Sequence, residues 1–346
     1  MVVVGVDAHK RSHTMVAVDG RGRKLAEKTV PATSAGHTQA LRWALSVFDG
    51  ETTTWGVEDV RSVTARLERD LMDAGAVVVR VPASVVAQVR GSAREVGKSD
   101  PIDALAVARA VLQDPNLPRA RHDPDSLACK LMVDRRDTLV QRRSATMTRL
   151  QWRIHQLDPK RDVSQGKLGT TKHRNELRRW LTKQDGLLAE LARDEVDEIS
   201  QTSEFIQHLE RRISAHIEQI APSLLSLFGC GPLMAAKIVG EAADVTRFRS
   251  ESTFARFAGV GPLPMWSGST AGLMRTNKSG NRQVIMALHR IAVTQIRSGG
   301  TGADYYRKRI DGGDRPAMAR RCLKRHVARA VYRALLADTR RRASPA

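Results

Sequence analysis

The chain has 346 residues, enough for two or three domains with cores of their own, and sets 57 Lys plus Arg against 37 Asp plus Glu. A formal net charge of +20 points to a polyanionic partner, nucleic acid first, and with aromatics at only 4% phosphate contacts rather than base stacking should dominate. Cys129, Cys230 and Cys322 are too scattered for a zinc motif or a disulfide framework, and no apolar run has the length of a membrane span, so a soluble cytoplasmic protein is expected.

The opening run Val2-Val3-Val4-Gly5-Val6 is short, apolar and β-branched, and reads as a buried central strand. Asp7 follows it directly. A carboxylate there needs a partner or a cation, although capping a turn is the ordinary role of a lone Asp. Thr14 to Val18 and Lys24 to Val30 complete an antiparallel meander through the turn Asp19-Gly20-Arg21-Gly22. Thr33-Ser34 opens a helix through Ala40, Leu41, Ala44, Leu45 and Phe48. Thr52 to Val57 is a strand ending on Glu58-Asp59, Val63 to Ala74 an amphipathic helix, Val77 to Val81 a strand and Ser84 to Val89 a short helix. Asp100-Pro101 predicts the N-cap and first residue of an apolar helix, with Asp103 on the same side of its first turn.

The order βββ-α-β-α-β-α is that of ribonuclease-H-like and RuvC-like domains. In such a sheet Asp7, Glu58, Asp100 and Asp103 converge on one edge. Singly, each has a bland explanation as a cap or as compensation of a helix dipole. Jointly, the four predict one site for two Mg²⁺ ions about 4 Å apart, since hard oxygen ligands favour magnesium over zinc.

Asp114-Pro115-Asn116-Leu117-Pro118 breaks the chain. Beyond it, Val133, Val140, Met147 and Ile154 recur in heptads, as do Ile199, Ile206, Ile213 and Ile220 on a second long helix from Leu187. Coiled-coil helices are expected over 120–220, with a basic insertion at 158–185 holding a short helix from about Asn175 to Leu181. Leu224 to Lys237 reads as helix, Gly229-Cys230-Gly231-Pro232 turn and helix, either a helix-hairpin-helix for duplex contact or a plain structural hairpin. Gly259 to Thr270 is a proline- and glycine-rich loop with Ser267 and Ser269, followed by Arg275, Lys278 and Arg282. A loop serine beside convergent cations has what attack on phosphorus requires. From Arg315 onward ten Arg or Lys face a single acid, Asp338, so Arg320, Arg321 and Arg325 are expected on nucleic acid.

Gly5-Val6-Asp7-x-His9-Lys10, Gly56-Val57-Glu58, Lys98-x-Asp100-x-x-Asp103-Ala104 and Pro262-x-Pro264…Ser267-Gly268…Gly280-Asn281-Arg282 together resemble the insertion-sequence-110 family of transposases, the bridge-RNA-guided recombinases. Each motif is weak alone; in this order they cover nearly the whole chain. The resemblance implies a RuvC-like DEDD domain over 1–115, with Asp7, Glu58, Asp100 and Asp103 holding Mg²⁺. It implies a coiled coil that assembles a dimer or tetramer, and a mainly α C-terminal serine transposase domain over 221–346. The implied activity is phosphoryl transfer on donor and target double-stranded DNA, guided by a noncoding RNA, in a bacterial cytoplasm at the nucleoid. Ser267, directly before glycine, takes the nucleophile's position, and Ser269 is the second choice because Trp266-Ser267-Gly268 stands where many members have Ser-Ser-Gly. Two other readings stay open: a metal-only RuvC-like nuclease or junction resolvase, and a non-enzymatic basic DNA- or RNA-binding protein whose acids are caps.

Overall fold

The computed structural model describes residues 1–343 apart from 49–52, 60, 92–98, 116, 118, 122, 162, 265–273 and 277–279. The chain divides into two units, Met1–His122 and Asp123–Ala346.

In the first unit β1 (Val2–Ala8), β2 (Ser12–Val18) and β3 (Lys24–Pro31) form the meander, followed by α1 (Ser34–Val47), β4 (Thr53–Glu58), α2 (Arg61–Asp73), β5 (Val77–Val81), α3 (Ala83–Gly91) and α4 (Asp100–Gln113). The sheet order is β3-β2-β1-β4-β5, with β1 antiparallel to β2 and parallel to β4. This is the mixed sheet that the ribonuclease-H-like element order predicts. Helices cover both faces, so β1 is apolar on each. Val2, Val4 and Val6 join Ala40, Ala44, Leu67 and Leu71 in one core, while Val3 joins Ala104, Leu105 and Ala108 of α4 in another. Thr33 caps α1 as expected, accepting from the Gly36 amide.

The second unit opens with α5 (Pro124–Leu157), α6 (Gln165–Leu168), α7 (Thr171–Leu181) and α8 (Leu187–Ile220). The long helices α5 and α8 lie antiparallel within one chain, joined by Arg136–Glu210 at 2.8 Å, Arg142–Glu198 at 2.9 Å and Arg149–Glu195 at 3.4 Å. Ile199, Ile206, Ile213 and Ile220 are all buried, which accounts for the heptad spacing. In the basic insertion, α7 begins four residues before the expected Asn175 and buries Leu177 and Leu181 with Ile154 and Ile199.

The chain continues through α9 (Pro222–Leu225), α10 (Pro232–Ala242), α11 (Glu251–Phe257), β6 (Pro262–Pro264), β7 (Met274–Thr276), α12 (Arg282–Ser298), α13 (Thr301–Asp311) and α14 (Pro316–Ala343). The helix before the Gly229 turn is only four residues long, and Gly229 takes φ 84° there. Lys237 on α10 is buried, paired with Asp137 and donating to Gln283 Oε1 at 2.8 Å, so its charge is spent inside the fold. No helix among the described residues is long and apolar enough to cross a membrane.

Candidate functional site

Strand alternation sets the acidic site. Gly5 and Asp7 stand on the same side of β1 as Val3, which is the side covered by α4. On β4 Gly56 faces Val107 and Val111 of α4, and Glu58 lies two residues on, at the strand's end. Because Val6 pairs with Val57 in the parallel ladder, Asp7 and Glu58 come next along neighbouring strands at their carboxyl ends. The first turn of α4 adds Asp100 and Asp103. Asp100 is the first residue of that helix; the cap position falls to Ser99, whose side chain makes no capping bond. Asp100 is therefore released from the capping role.

Asp7 and Glu58 feel the acids around them. Burial, opposed by His9 and reinforced by Asp100 and Asp103, raises the Asp7 carboxyl above its usual range. Burial and then the charges of Asp7 and Asp103 raise Glu58, against Arg90. Two basic side chains stand against these carboxylates. His9 Nε2 lies 3.0 Å from Asp7 Oδ2 and 3.5 Å from Asp100 Oδ1, and Asp7 foremost raises its affinity for a proton. Arg90, in the last turn of α3, donates to Asp103 Oδ1 at 2.8 Å.

Ligand atoms of Asp7, His9 and Asp100 lie within 4.8 Å of one another. Carboxylate oxygens gathered at one edge of a sheet are a donor set suited to a hard divalent cation. Sequence reasoning missed His9 and Arg90 as members of this cluster. His9 had a signal, two residues beyond Asp7 and hence on the same side of the strand's path; Arg90 had none.

Ser267, Ser269 and Lys278 lie outside the described residues. β6 and β7 pair antiparallel, Pro262 with Thr276, Leu263 with Arg275 and Pro264 with Met274, so the serine segment joins two strands of a ribbon. The ribbon's neck is tight: a β-carbon on Gly280 would come 2.2 Å from Gly259 Cα, and the Asn281 amide donates to Phe257 O at 2.8 Å. Asn281 Oδ1 caps α12 by accepting from the Val284 amide at 3.0 Å, while its Nδ2 donates to Glu241 Oε2 at 2.7 Å. Lys130 reaches the other oxygen of Glu241 at 2.7 Å.

Arg275 is on β7 and Arg282 is exposed in the first turn of α12. Arg320, Arg321 and Arg325 lie on α14, Arg321 exposed and the others half-buried. Asp338, the single acid of that tail, is buried and accepts from the Ser223 and Leu224 amides at 3.0 and 3.2 Å.

Residues 4–159 match the family model for DEDD transposases of the IS110 type, described as "Transposase", and residues 221–307 match "Transposase IS116/IS110/IS902 family". The 44.8 kDa protein of insertion element IS116 from Streptomyces clavuligerus is 23% identical over 90% of this chain and 88% of its own length. The 42 kDa protein of insertion element IS900 from Mycobacterium paratuberculosis is 22% identical over 90% of each chain. A probable family 20 transposase of Pseudomonas aeruginosa is 32% identical over 27% of this chain and 28% of its own. Among solved structures, Thermus thermophilus RuvC matches with TM-score 0.28 and 18% identity over 35% of this chain and all of RuvC. RuvC in complex with a Holliday junction substrate matches with TM-score 0.25 and 19% identity, over 32% of this chain and 91% of that one.

Proposed function

This chain belongs to the IS116/IS110/IS902 family of transposases, DNA-cutting and DNA-joining enzymes, and on that premise we propose that it exchanges DNA strands by using its acidic cluster together with a nucleophilic serine. The observation that carries the reading is the placement of Asp7 and Glu58 side by side at the carboxyl ends of β1 and β4, with Asp100 and Asp103 in the first turn of the helix that packs on them. Asp7, Glu58, Asp100 and Asp103 would hold Mg²⁺, two ions in all. When bound there, Mg²⁺ supplies Lewis-acid stabilisation of the oxygens entering and leaving phosphorus.

The chain's own groups do the rest. Ser267 Oγ attacks a DNA phosphorus; its bond to phosphorus forms as the bond to one strand oxygen breaks, and the serine's proton passes in net to the released hydroxyl. Ser269 is the alternative nucleophile. Arg275, Lys278 and Arg282 offset the charge that develops on the phosphate. Without a metal, His9 bridges Asp7 and Asp100 and Arg90 pairs with Asp103, so each would give up a carboxylate to a bound cation. Arg320, Arg321 and Arg325 hold the duplex backbone. A noncoding guide RNA selects donor and target, a partner for which the net charge of +20 leaves ample capacity, and the antiparallel α5–α8 pair joins protomers into a dimer or tetramer.

The test is strand cleavage of a plasmid carrying the target site, with the guide RNA present. Wild type should nick in Mg²⁺ and stop in EDTA, and Asp103→Asn should lose cleavage while keeping duplex affinity. Undiminished cleavage by Asp103→Asn would remove the acidic cluster from the reaction.

A further inference from the structure

α12 and α14 pack side by side, and five basic residues lie along their seam. His289 and Arg290 come from α12, and Arg320, Arg321 and Lys324 from α14. Burial, then Lys324, Arg320 and Arg290, weaken the hold of His289 on a proton; burial, then Arg321 and Arg320, do the same to Lys324. Every charge that perturbs these two groups is positive. Among the described residues none of the five has a carboxylate partner, although elsewhere on the same helix Arg329 and Arg333 share Glu251.

Crowding like charges on a half-buried lysine is costly. Among the described residues no acid relieves it, and the one acid of α14 is turned inward to the amides of Ser223 and Leu224. The complement is an external anion. A small anion would meet two or three of these groups. Basic residues run on along both helices, through the exposed Arg282 on α12 and the half-buried Arg325 on α14, which suits a chain of phosphates rather than a single one.

We infer that His289, Arg290, Arg320, Arg321 and Lys324 form a phosphodiester cradle, separate from the acidic cluster, that grips a nucleic-acid strand beside the ribbon carrying Ser267. The cradle deepens the proposed transposase reading and rests on it for the identity of the strand. Seven residues separate Arg282, at the ribbon's exit, from His289, so the cradle begins about 11 Å along α12 from the neck.

The experiment uses the full chain in EDTA, so that metal plays no part, with a 20-base-pair DNA duplex of arbitrary sequence and an RNA hairpin of equal length as separate probes. Affinity is measured by fluorescence anisotropy across salt concentrations for wild type and for the double variant Arg320→Gln, Lys324→Gln. Each lost phosphate contact flattens the slope of log K against log salt by about 0.9 for duplex, so the double variant should lose between about 1 and 2 units. A flattening with DNA assigns the cradle to duplex, and a flattening with the hairpin alone assigns it to RNA. The free variant should melt at or above the wild-type temperature, since like charges have been removed. An unchanged slope with both probes overturns the cradle, as does a lower melting temperature with affinity intact, the mark of a structural role. If wild type binds neither probe, the nucleic-acid reading itself fails; if wild type binds and only the variant's slope is unmoved, the cradle fails and Arg320 leaves the duplex contact, while the acidic cluster and the serine are untouched.

Discussion

A β-carbon placed on Gly5 would lie 2.1 Å from the carbonyl oxygen of Ala104 and 2.4 Å from the amide nitrogen of Ala108. The backbone of α4 thus rests directly on β1, and this contact brings Asp100 and Asp103 over the end of the strand that carries Asp7. Gly5→Ala should force the helix outward at a cost of about 1–3 kcal/mol, towards the upper end because backbone rather than a side chain must yield. Melting with and without Mg²⁺ checks it: the variant should melt lower and lose most of the metal-dependent rise. A variant that melts lower with that rise intact would separate the packing from the site.

His9 and Arg90 occupy the carboxylates that the proposed ion would take. His9→Ala should therefore destabilise the metal-free protein by less than about 1 kcal/mol, since the imidazole is largely exposed, and should enlarge the stabilisation given by Mg²⁺. Asp7→Asn should do the reverse, raising the metal-free melting temperature and abolishing the Mg²⁺ response. Calorimetric titration of the two variants should show opposite signs; matching signs would contradict the competition between His9 and the cation.

His13 supplies a pH dependence away from the acidic cluster. Its ring is buried and stacked on His37 at 5.2 Å, and His37 Nδ1 lies 2.6 Å from Asp70 Oδ2. Burial, and then the neighbouring His37, push the His13 imidazole down to about 4 from 6.5. Between those values the unfolded chain binds a proton that the folded chain refuses, so this contribution to stability is complete above pH 6.5, declines as pH falls and is gone near 4. The whole contribution is on the order of 3 kcal/mol at most. His13→Leu should flatten the fall in unfolding free energy over that window, measured by denaturant titration at a series of pH values. A slope equal to that of wild type would assign the pH dependence to other groups.

Asn281 both caps α12 and reaches back to Glu241 at the ribbon's neck. Asn281→Ala should cost about 1–2 kcal/mol from the lost cap. Asn281→Asp keeps a capping oxygen but sets a carboxylate against Glu241, so it should rescue little of that loss. Both should reduce strand cleavage more than duplex binding. Denaturation curves together with cleavage and binding assays test this, and full recovery in Asn281→Asp would show that the bond to Glu241 is idle.

Much of the fold was legible because periodicity reports burial. The heptad isoleucines of α8 are all buried, and the alternating valines of β1 divide between two cores. The grouping of the four acids was legible for the same reason, since strand ends and a helix start are visible in the sequence. Details that depend on tertiary approach were not. Asp100 looks like a helix cap beside Pro101, yet the helix begins on it and the cap falls to Ser99. Arg90 reaches Asp103 only because α3 lies beside α4, and the side chains of His289 and Lys324 come together only across two helices. The fold of Lys237 into an ion pair with Asp137, a hundred residues away in sequence, left no local trace.

The most direct measurement is a search for a covalent protein–DNA bond. Protein, guide RNA and end-labelled target duplex are mixed with Mg²⁺, quenched in detergent and resolved by size. Wild type should yield a labelled protein band, Ser267→Ala and Asp7→Ala should each lose it, and their combined loss should not exceed either alone. An adduct that persists in Ser267→Ala but vanishes in Ser269→Ala would move the nucleophile to Ser269. DNA cut by wild type with no adduct at any time point would contradict the serine account and leave a nuclease that works through its acidic cluster alone.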